Sequence, residues 1–148
     1  VQSAQQMFEA CKNFYDHTDI AIMSAAVADF KPKNVPTAKI KKEDGLNKIE
    51  LEPTVDILKT LGLLKKHQIL IGFALETTNE LENANKKLQS KNCDAIILNS
   101  LQDAGAGFQH QTNKISIIDK SLKKTDYPLK SKAKVAVDIC DFILKMST

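Results

Sequence analysis

The sequence of 148 residues has no tryptophan, two tyrosines and six phenylalanines. Surfaces that stack nucleic-acid bases depend on aromatic side chains, so this scarcity speaks against a nucleic-acid partner. The net charge of +3 is also too small to indicate one. Long apolar runs are missing too, and the amino-terminal segment has no signal-peptide core. These observations predict no membrane partner and favour a single cytoplasmic domain over 1–148.

Cysteine and histidine are equally scarce. Cys11, Cys93 and Cys140 show no CxxC spacing, and an odd, scattered set indicates reduced thiols in the cytoplasm. Cys93 adjoins a predicted strand and Cys140 lies on the apolar side of a predicted helix, so we expect both in the core. The three histidines show no metal-ligand spacing. The sequence therefore leaves the metal ligands unknown.

Glycine occurs five times, and no GxGxxG motif follows a predicted strand, which speaks against a dinucleotide-binding domain. Gly105 and Gly107 belong to a predicted flexible loop.

What the sequence does contain is an alternation of helical and strand patterns. Helices are predicted over 3–15, from 53–54 onward, over 79–91 and over 131–146, with strands over 20–25, 68–74 and 94–99. This order predicts a parallel sheet with right-handed crossovers.

Local signals refine these boundaries. Ser3 with Gln6 and Thr77 with Glu80 have capping-box spacing, and Thr54 is the predicted N-cap of the second helix. One hairpin is predicted from 39–42 and 48–52, after a loop over 30–36, and a second from 114–118 and 122–127. The predicted fold class is α/β and Rossmann-like, a mainly parallel sheet with helices on both faces and antiparallel hairpin strands at an edge. Helical spacing predicts four buried faces: Met7, Ala10, Cys11 and Phe14; Ile57, Leu58, Leu61 and Leu64; Leu81, Ala84 and Leu88; and Ala136, Ile139, Cys140, Ile143 and Met146.

The segment 25–30, Ala-Ala-Val-Ala-Asp-Phe, is the strongest candidate for a binding site. It follows the first predicted strand, and ligands of open α/β sheets bind beyond the carboxyl ends of the strands. Four small residues allow close approach, Asp29 offers a carboxylate, and Lys39 begins a basic Lys-Ile-Lys-Lys run. A carboxylate near several ammonium groups suits a nucleoside triphosphate. The alternatives are an Asp in an ordinary turn and a solvated basic face.

Several motifs stand in a fixed order: AAVADFKPK, KIKK, VDIL, GFALET and KLQSKNCDAIILN. From about Ser3 to Ile118 the chain resembles phosphopantothenoylcysteine synthetase, also called phosphopantothenate–cysteine ligase. The resemblance implies CTP-dependent ligation of 4'-phosphopantothenate with cysteine through an acyl-cytidylate, in coenzyme A biosynthesis. It also implies magnesium bound with CTP, a homodimer, and fusion to or association with a phosphopantothenoylcysteine decarboxylase domain.

The resemblance also assigns roles to residues. Ser24, Ala25 and Asp29 would line the cytidine pocket, and Lys39 would be catalytic and bind the triphosphate. Further nucleotide contacts would come from Val55, Asp56, Ile57, Leu58, Phe73, Lys87 and Lys91, and Asn99 would touch either substrate. On pattern alone, Phe73 also fits a core phenylalanine, the two lysines fit an exposed helix face, and 55–58 fits an ordinary N-capped helix.

The chain departs from the family's pattern at its start. Complete members carry a GGT-like strand and turn and an SSGK-like loop, which nothing in this sequence matches. The first residue is Val1, so we expect a domain that lacks its amino-terminal glycine-rich unit and whose CTP site is more complete than its catalytic machinery. The alternatives are a nucleotide-binding Rossmann-like module without ligase activity and a protein-interaction domain without a ligand.

Overall fold

A five-stranded sheet forms the centre of the computed structural model, which describes residues 1–41, 48–76, 78–100 and 111–146. In these ranges the helices are α1 (Ala4–Tyr15), α2 (Ile57–Leu64), α3 (Glu80–Ser90) and α4 (Lys132–Met146). The strands are β1 (Ile20–Met23), β2 (Phe30–Pro32), β3 (Leu51–Pro53), β4 (Ile69–Glu76), β5 (Ala95–Ser100), β6 (Thr112–Asn113), β7 (Ile115–Asp119), β8 (Lys124–Asp126) and β9 (Lys130–Ser131).

The central sheet has the strand order β1-β4-β5-β7-β8. Strands β1, β4 and β5 run parallel, whereas β7 and β8 pair antiparallel at one side. Helices α1, α2 and α3 share one buried cluster with the sheet, and α4 shares the other. Neighbouring residues of β5 alternate between the clusters, Ile96 in the first and Ile97 in the second, as the pleat requires. The predicted fold class is confirmed.

Helix α2 approaches its neighbours very closely, and two glycines permit this. A Cβ on Gly72 in β4 would lie 2.8 Å from side-chain atoms of Leu58 and Ile96. A Cβ on Gly62 would collide with the carbonyl oxygen of Lys91, just beyond α3. Asn92 supports this junction, because its side chain donates to the carbonyl of Gly62 at 2.9 Å. The amino end of α2 is thereby brought to the sheet edge where β4 ends.

A buried carboxylate ties the opposite edge of the sheet together. Asp94 accepts the backbone N–H of Leu70 at 2.7 Å and pairs with Lys65 at 3.0 Å and Lys120 at 2.5 Å. Burial raises the pKa of Asp94, but these hydrogen bonds outweigh it and hold the pKa below its ordinary value. Asp94 thus fixes β4 and β5 relative to each other, away from the carboxyl ends of the strands.

The first hairpin was predicted with the wrong strands. Strand β2 pairs antiparallel with β3, with Lys31 opposite Glu52 and the two side chains 3.0 Å apart. Residues 39–41 are not in a strand, and 42–47 lie outside the described residues. Prolines at 32 and 36 had indicated a loop, but an isolated two-stranded ribbon tolerates proline because its outer N–H groups need no partner.

Two helix starts also differ from prediction. Asp56, not Thr54, caps α2: its carboxylate accepts the N–H of Lys59 at 3.0 Å. Thr54 instead bonds to the end of the small-residue segment, because β3 continues to Pro53. Helix α3 has Asn79 at its N-cap with a left-handed backbone and no side-chain cap, and Thr77 lies outside the described residues. The capping box of Ser3 and Gln6 is confirmed. Asn92, after α3, has a left-handed backbone.

The predicted buried faces are only partly correct. Ile139, Ile143, Ala84, Leu88 and Cys93 are buried. Several others are exposed: Phe14 (73%), Leu64 (42%), Leu81 (46%), Ala136, Cys140 and Met146. Tyr15 is buried in place of Phe14, and Val135 in place of Ala136. Helix α4 carries apolar residues on more than one side, so periodicity did not fix its rotation. Strand β1 ends at Met23 rather than Ala25, and 105–107 lies outside the described residues.

Candidate functional site

A cleft of about 520 Å³ opens at the carboxyl ends of β1, β4 and β5. This is the edge at which open α/β sheets bind ligands. The cleft combines the small-residue segment after β1, the start of α2, one end of α3 and the last residues of β4 and β5. Its lining consists of Met7, Met23, Ser24, Ala25, Ala26, Val27, Ala28, Asp29, Thr54, Val55, Asp56, Ile57, Leu58, Phe73, Ala74, Leu75, Lys87, Lys91, Asn99, Asn113 and Lys132.

The structure brings together all but one of the residues that the sequence suggested. Lining the cleft are Ser24, Ala25, Asp29, Val55, Asp56, Ile57, Leu58, Phe73, Lys87, Lys91 and Asn99. Lys39 is not part of this lining; it is exposed in the chain between β2 and β3. The shared cleft is a finding, whereas the binding of a nucleotide by these residues stays a prediction.

Thr54 fixes the position of Asp29. The hydroxyl of Thr54 donates to the carbonyl of Ala28 at 2.6 Å, and its N–H donates to the carbonyl of Asp29 at 2.9 Å. The backbone that carries Asp29 is therefore joined to the residue two positions before the cap of α2. This leaves the carboxylate of Asp29 exposed at the rim of the cleft, available to a ligand.

Asp56 and Lys91 supply the charges at the start of α2. The carboxylate accepts the N–H of Lys59 and pairs with the ammonium of Lys91 at 3.0 Å. Burial raises the pKa of Asp56, but the hydrogen bonds from Lys59 and Lys91 outweigh it and leave the pKa below its ordinary value. Asp56 is therefore ionised at neutral pH, and Lys91 is held at the cleft by a fixed partner.

Lys87 is the second ammonium from α3. Its Nζ donates to the carbonyl oxygen of Phe73 at 3.3 Å, which draws the side chain to the end of β4. A lysine held by a neutral carbonyl keeps its full positive charge for an anionic ligand. Lys87 and Lys91 are four residues apart and line the same cleft, as their spacing predicted.

Sequence reasoning missed several lining residues, of which Thr54, Asn113 and Lys132 carry polar side chains. Lys132 reaches the cleft because the N–H of Lys132 donates to the carbonyl of Gln111 at 3.0 Å. Asn113 reaches it because β7 runs antiparallel to β5, with Ile115 opposite Asn99. The start of β7 therefore lies beside the end of β5. The predicted hairpin over 114–127 contained this signal, since an antiparallel neighbour of the last parallel strand must begin at the cleft edge.

The described residues contain no group of three or more His, Cys, Asp and Glu side chains that could hold a metal ion. Magnesium is usually bound by one or two carboxylates together with substrate phosphates. Asp29 offers such a carboxylate, whereas Asp56 is already paired with Lys91. The donor set fits magnesium that arrives with a triphosphate.

In the described ranges no helix is long and apolar enough to cross a bilayer.

Comparison with known proteins places the chain in a family. Residues 1–146 match the family described as "DNA/pantothenate metabolism flavoprotein C-terminal domain". The chain belongs to this family. The crystal structure of the C-terminal domain of Coenzyme A biosynthesis bifunctional protein CoaBC has the same α/β architecture and superposes with a TM-score of 0.80. That match has 42% sequence identity and covers 99% of this chain and 63% of the other.

Two relatives illustrate the range of names within this family. The chain is 51% identical to a protein named "Cysteine/Cysteine sulfinic acid decarboxylase" from an unknown prokaryotic organism, over 99% of this chain and 41% of that protein. It is 48% identical to Coenzyme A biosynthesis bifunctional protein CoaBC of Bacillus subtilis (strain 168), over 99% and 36% respectively. The chain thus spans about two fifths of the length of these relatives.

Proposed function

We propose that this chain is the CTP-binding part of a phosphopantothenate–cysteine ligase, which joins 4'-phosphopantothenate to cysteine through an acyl-cytidylate in coenzyme A biosynthesis. The observation that carries the proposal is the convergence of Asp29, Phe73, Lys87 and Lys91 on one cleft at the carboxyl edge of the sheet. Its similarity to the Bacillus subtilis CoaBC supports the proposal. Function of this kind depends on the site, and the α/β fold alone does not specify it.

The residues of the cleft suit an acyl transfer that uses a nucleoside triphosphate. Such a reaction needs alignment of the reactants and positive charge where the leaving pyrophosphate develops. Lys87 and Lys91 supply that charge, Asp29 accepts from hydroxyl or amino groups, and the N–H groups at the start of α2 favour anionic oxygens. Magnesium bound with the triphosphate would neutralise part of its charge. Lys39 would act from the exposed segment between β2 and β3.

Separate calorimetric titrations with CTP, ATP and NAD test the nucleotide assignment. We expect CTP to bind more tightly than ATP, because Asp29 near a pocket of backbone groups should favour cytidine. NAD should bind weakly, because the ammonium groups of the lining suit a triphosphate. Equal or tighter binding of ATP would contradict the cytidine assignment. Binding of none of the three would favour a protein-interaction domain.

Product analysis tests the reaction. With CTP, phosphopantothenate and cysteine present, a ligase releases pyrophosphate and CMP. Because the CTP site is expected to be more complete than the catalytic machinery, we expect little of either product from this chain and more from a version extended by a glycine-rich amino-terminal unit. Binding of CTP without either product in both proteins would favour the alternative, a nucleotide-binding module without ligase activity. The name of the 51% identical relative motivates a parallel assay for carbon dioxide released from cysteine or cysteine sulfinic acid. Carbon dioxide without pyrophosphate would contradict the ligase assignment.

The same proposal extends to partners. A bifunctional relative supports association with, or fusion to, a decarboxylase domain that consumes phosphopantothenoylcysteine in the cytoplasm.

Homodimer formation is supported by apolar side chains on the β2–β3 ribbon, where Phe30 is 59% and Leu51 58% exposed. Sedimentation velocity should give a dimer, and Leu51→Glu should shift it towards the monomer if this ribbon is the interface.

A further inference from the structure

The cleft has two sides. The side chains of one side come from the sheet face that packs against α4, and those of the other come from the face that packs against α1, α2 and α3. In β4, Phe73 packs with the α4 cluster, whereas Ala74 belongs to the cluster of α1, α2 and α3. Asn99 is opposite Leu75, two residues beyond Phe73, so the period-two alternation puts Asn99 and Phe73 on the same face. Ile115, the partner of Asn99 in β7, also belongs to the α4 cluster, and Asn113 lines the cleft two residues before it. An aromatic ring and two amides therefore share one half of the cleft.

The amide of Asn99 is incomplete without a ligand. Its Oδ1 is buried and, in the described part of the chain, has no hydrogen-bond partner. Buried polar atoms in folded proteins nearly always have a partner, so an unpaired one in a cleft indicates where a ligand donor belongs. The oxygen is an acceptor, and it therefore calls for an N–H or O–H group on the ligand.

Asn113 offers the complementary group. Its Oδ1 accepts the backbone N–H of Lys114 at 3.1 Å, which fixes the orientation of the amide. The N–H groups of the same amide are then left to donate to a ligand. Together the two residues present an acceptor and a donor beside the ring of Phe73.

We propose that Asn99 selects the nucleobase, with its Oδ1 accepting a hydrogen bond from the exocyclic amine of a cytosine. This inference rests on the proposed function, in which CTP occupies the cleft. Cytosine carries an amine at one end of its pairing edge and a carbonyl oxygen at the other, which matches the acceptor of Asn99 and the donor of Asn113. Phe73 packs against the base, and Asp29, across the cleft, is left to the ribose hydroxyls.

Discrimination between CTP and UTP follows from the Oδ1 of Asn99. Uracil has a carbonyl oxygen where cytosine has the amine, so UTP would bring an acceptor against the buried acceptor of Asn99. Sites built to hydrogen-bond one group reject an analogue that lacks it, because the buried polar group stays unpaired. Asn99 is therefore a specificity-determining residue.

The test compares CTP and UTP binding by calorimetry in four proteins: the unsubstituted chain, Asn99→Leu, Asn99→Asp and the control Asn85→Leu. Asn85 is also half-buried, and its Oδ1 has no hydrogen-bond partner among the described residues, but Asn85 is not part of the cleft lining. We expect the unsubstituted chain and Asn85→Leu to prefer CTP by at least about tenfold. Asn99→Leu should lose most of that preference. Asn99→Asp should retain it, since aspartate keeps an acceptor, while binding both nucleotides more weakly.

Two results would overturn the inference. If Asn99→Leu keeps the original ratio of CTP to UTP affinity, Asn99 does not read the base, although CTP binding would still support the proposed function. If the unsubstituted chain binds neither nucleotide, the proposed function and this inference both fail. Thermal unfolding of each variant checks its fold, and Asn99→Ser, which creates no steric conflict, replaces Asn99→Leu in the comparison if the leucine variant does not fold.

Discussion

The Nζ of Lys91 lies 3.0 Å from Oδ2 of Asp56, and the other carboxylate oxygen of Asp56 accepts the N–H of Lys59. One side chain therefore caps the start of α2 and holds the residue that ends α3. The side chain of Asp56 is 45% exposed and that of Lys91 22%. At this exposure the ion pair contributes more to the position of Lys91 than to stability.

Substituting Asp56 separates its two roles. Asp56→Asn keeps an oxygen for the cap but removes the charge, so we expect a loss of only about 0.2–1 kcal/mol in the free energy of unfolding. Asp56→Ala also removes the cap and should cost about 1 kcal/mol more. Urea denaturation at pH 7 measures both. Equal losses in the two variants would show that the cap contributes nothing.

The buried Asp94 predicts a specific acid dependence. Burial raises the pKa of Asp94, but its partners outweigh that effect and lower the pKa below the ordinary value of 3.8. A lowered pKa stabilises the fold above the unfolded-state value, and that contribution is lost as the pH falls through the folded-state pKa. Stability should therefore decline from about pH 5 downward. The decline should be shallower in Asp94→Asn.

The same variant should be less stable at neutral pH. Asp94→Asn leaves Lys65, whose side chain is 8% exposed, without its charged partner. Removing one member of a buried pair costs about 3–5 kcal/mol. Asp16→Asn is the control, because Asp16 pairs with Lys66 at the surface, where both side chains are about two-thirds exposed. A control as damaging as Asp94→Asn would contradict the role given to burial.

Gly62→Ala should damage the junction of α2 with the end of α3. The added Cβ would collide with the backbone carbonyl of Lys91, which is less able to move than a side chain. We expect a loss of about 1–3 kcal/mol in the free energy of unfolding, the usual result of overpacking. Lys59→Ala, at an exposed position of the same helix, should change stability little. An unchanged Gly62→Ala would show that the helices can separate without cost.

Lys39→Gln tests the one predicted site residue that does not line the cleft. If Lys39 reaches the triphosphate from its exposed segment, the variant should weaken CTP binding by about 1.5–3 kcal/mol, the value of a charge-assisted contact. CMP binding should change much less, because CMP lacks the outer phosphates. Lys48→Gln, also exposed, is the matched control. Equal weakening of CTP and CMP would exclude contact with the outer phosphates.

Local sequence patterns were sufficient to predict the strands β1, β4 and β5 and the cleft residues at or just beyond their carboxyl ends. The apolar runs that became β1, β4 and β5 fixed the carboxyl edge of the sheet, and with it the neighbourhood of Asp29, Phe73 and Asn99. The rotation of α4 was not predictable, since exposed Val137 and Leu144 give it apolar residues outside its buried face.

Two further features depended on contacts between distant segments. The β2–β3 pairing rests on Thr54 returning to Ala28, a contact that no local pattern contains. Lys132 reaches the cleft only because its N–H donates to the carbonyl of Gln111, which joins the start of α4 to the strand region before β7. Sequence periodicity describes neither relationship, because it reports only neighbours along the chain.

The two hydrogen bonds from Thr54 to the carbonyls of Ala28 and Asp29 have a practical consequence. The chain enters the β2–β3 ribbon after Asp29 and leaves it at Thr54, so both ends of this segment meet at one pair of hydrogen bonds. A segment whose two ends meet at one place can be exchanged between related proteins as a cassette. Replacing the segment between Asp29 and Thr54 with that of a relative would exchange Lys39 and its surroundings while leaving the cleft walls in place.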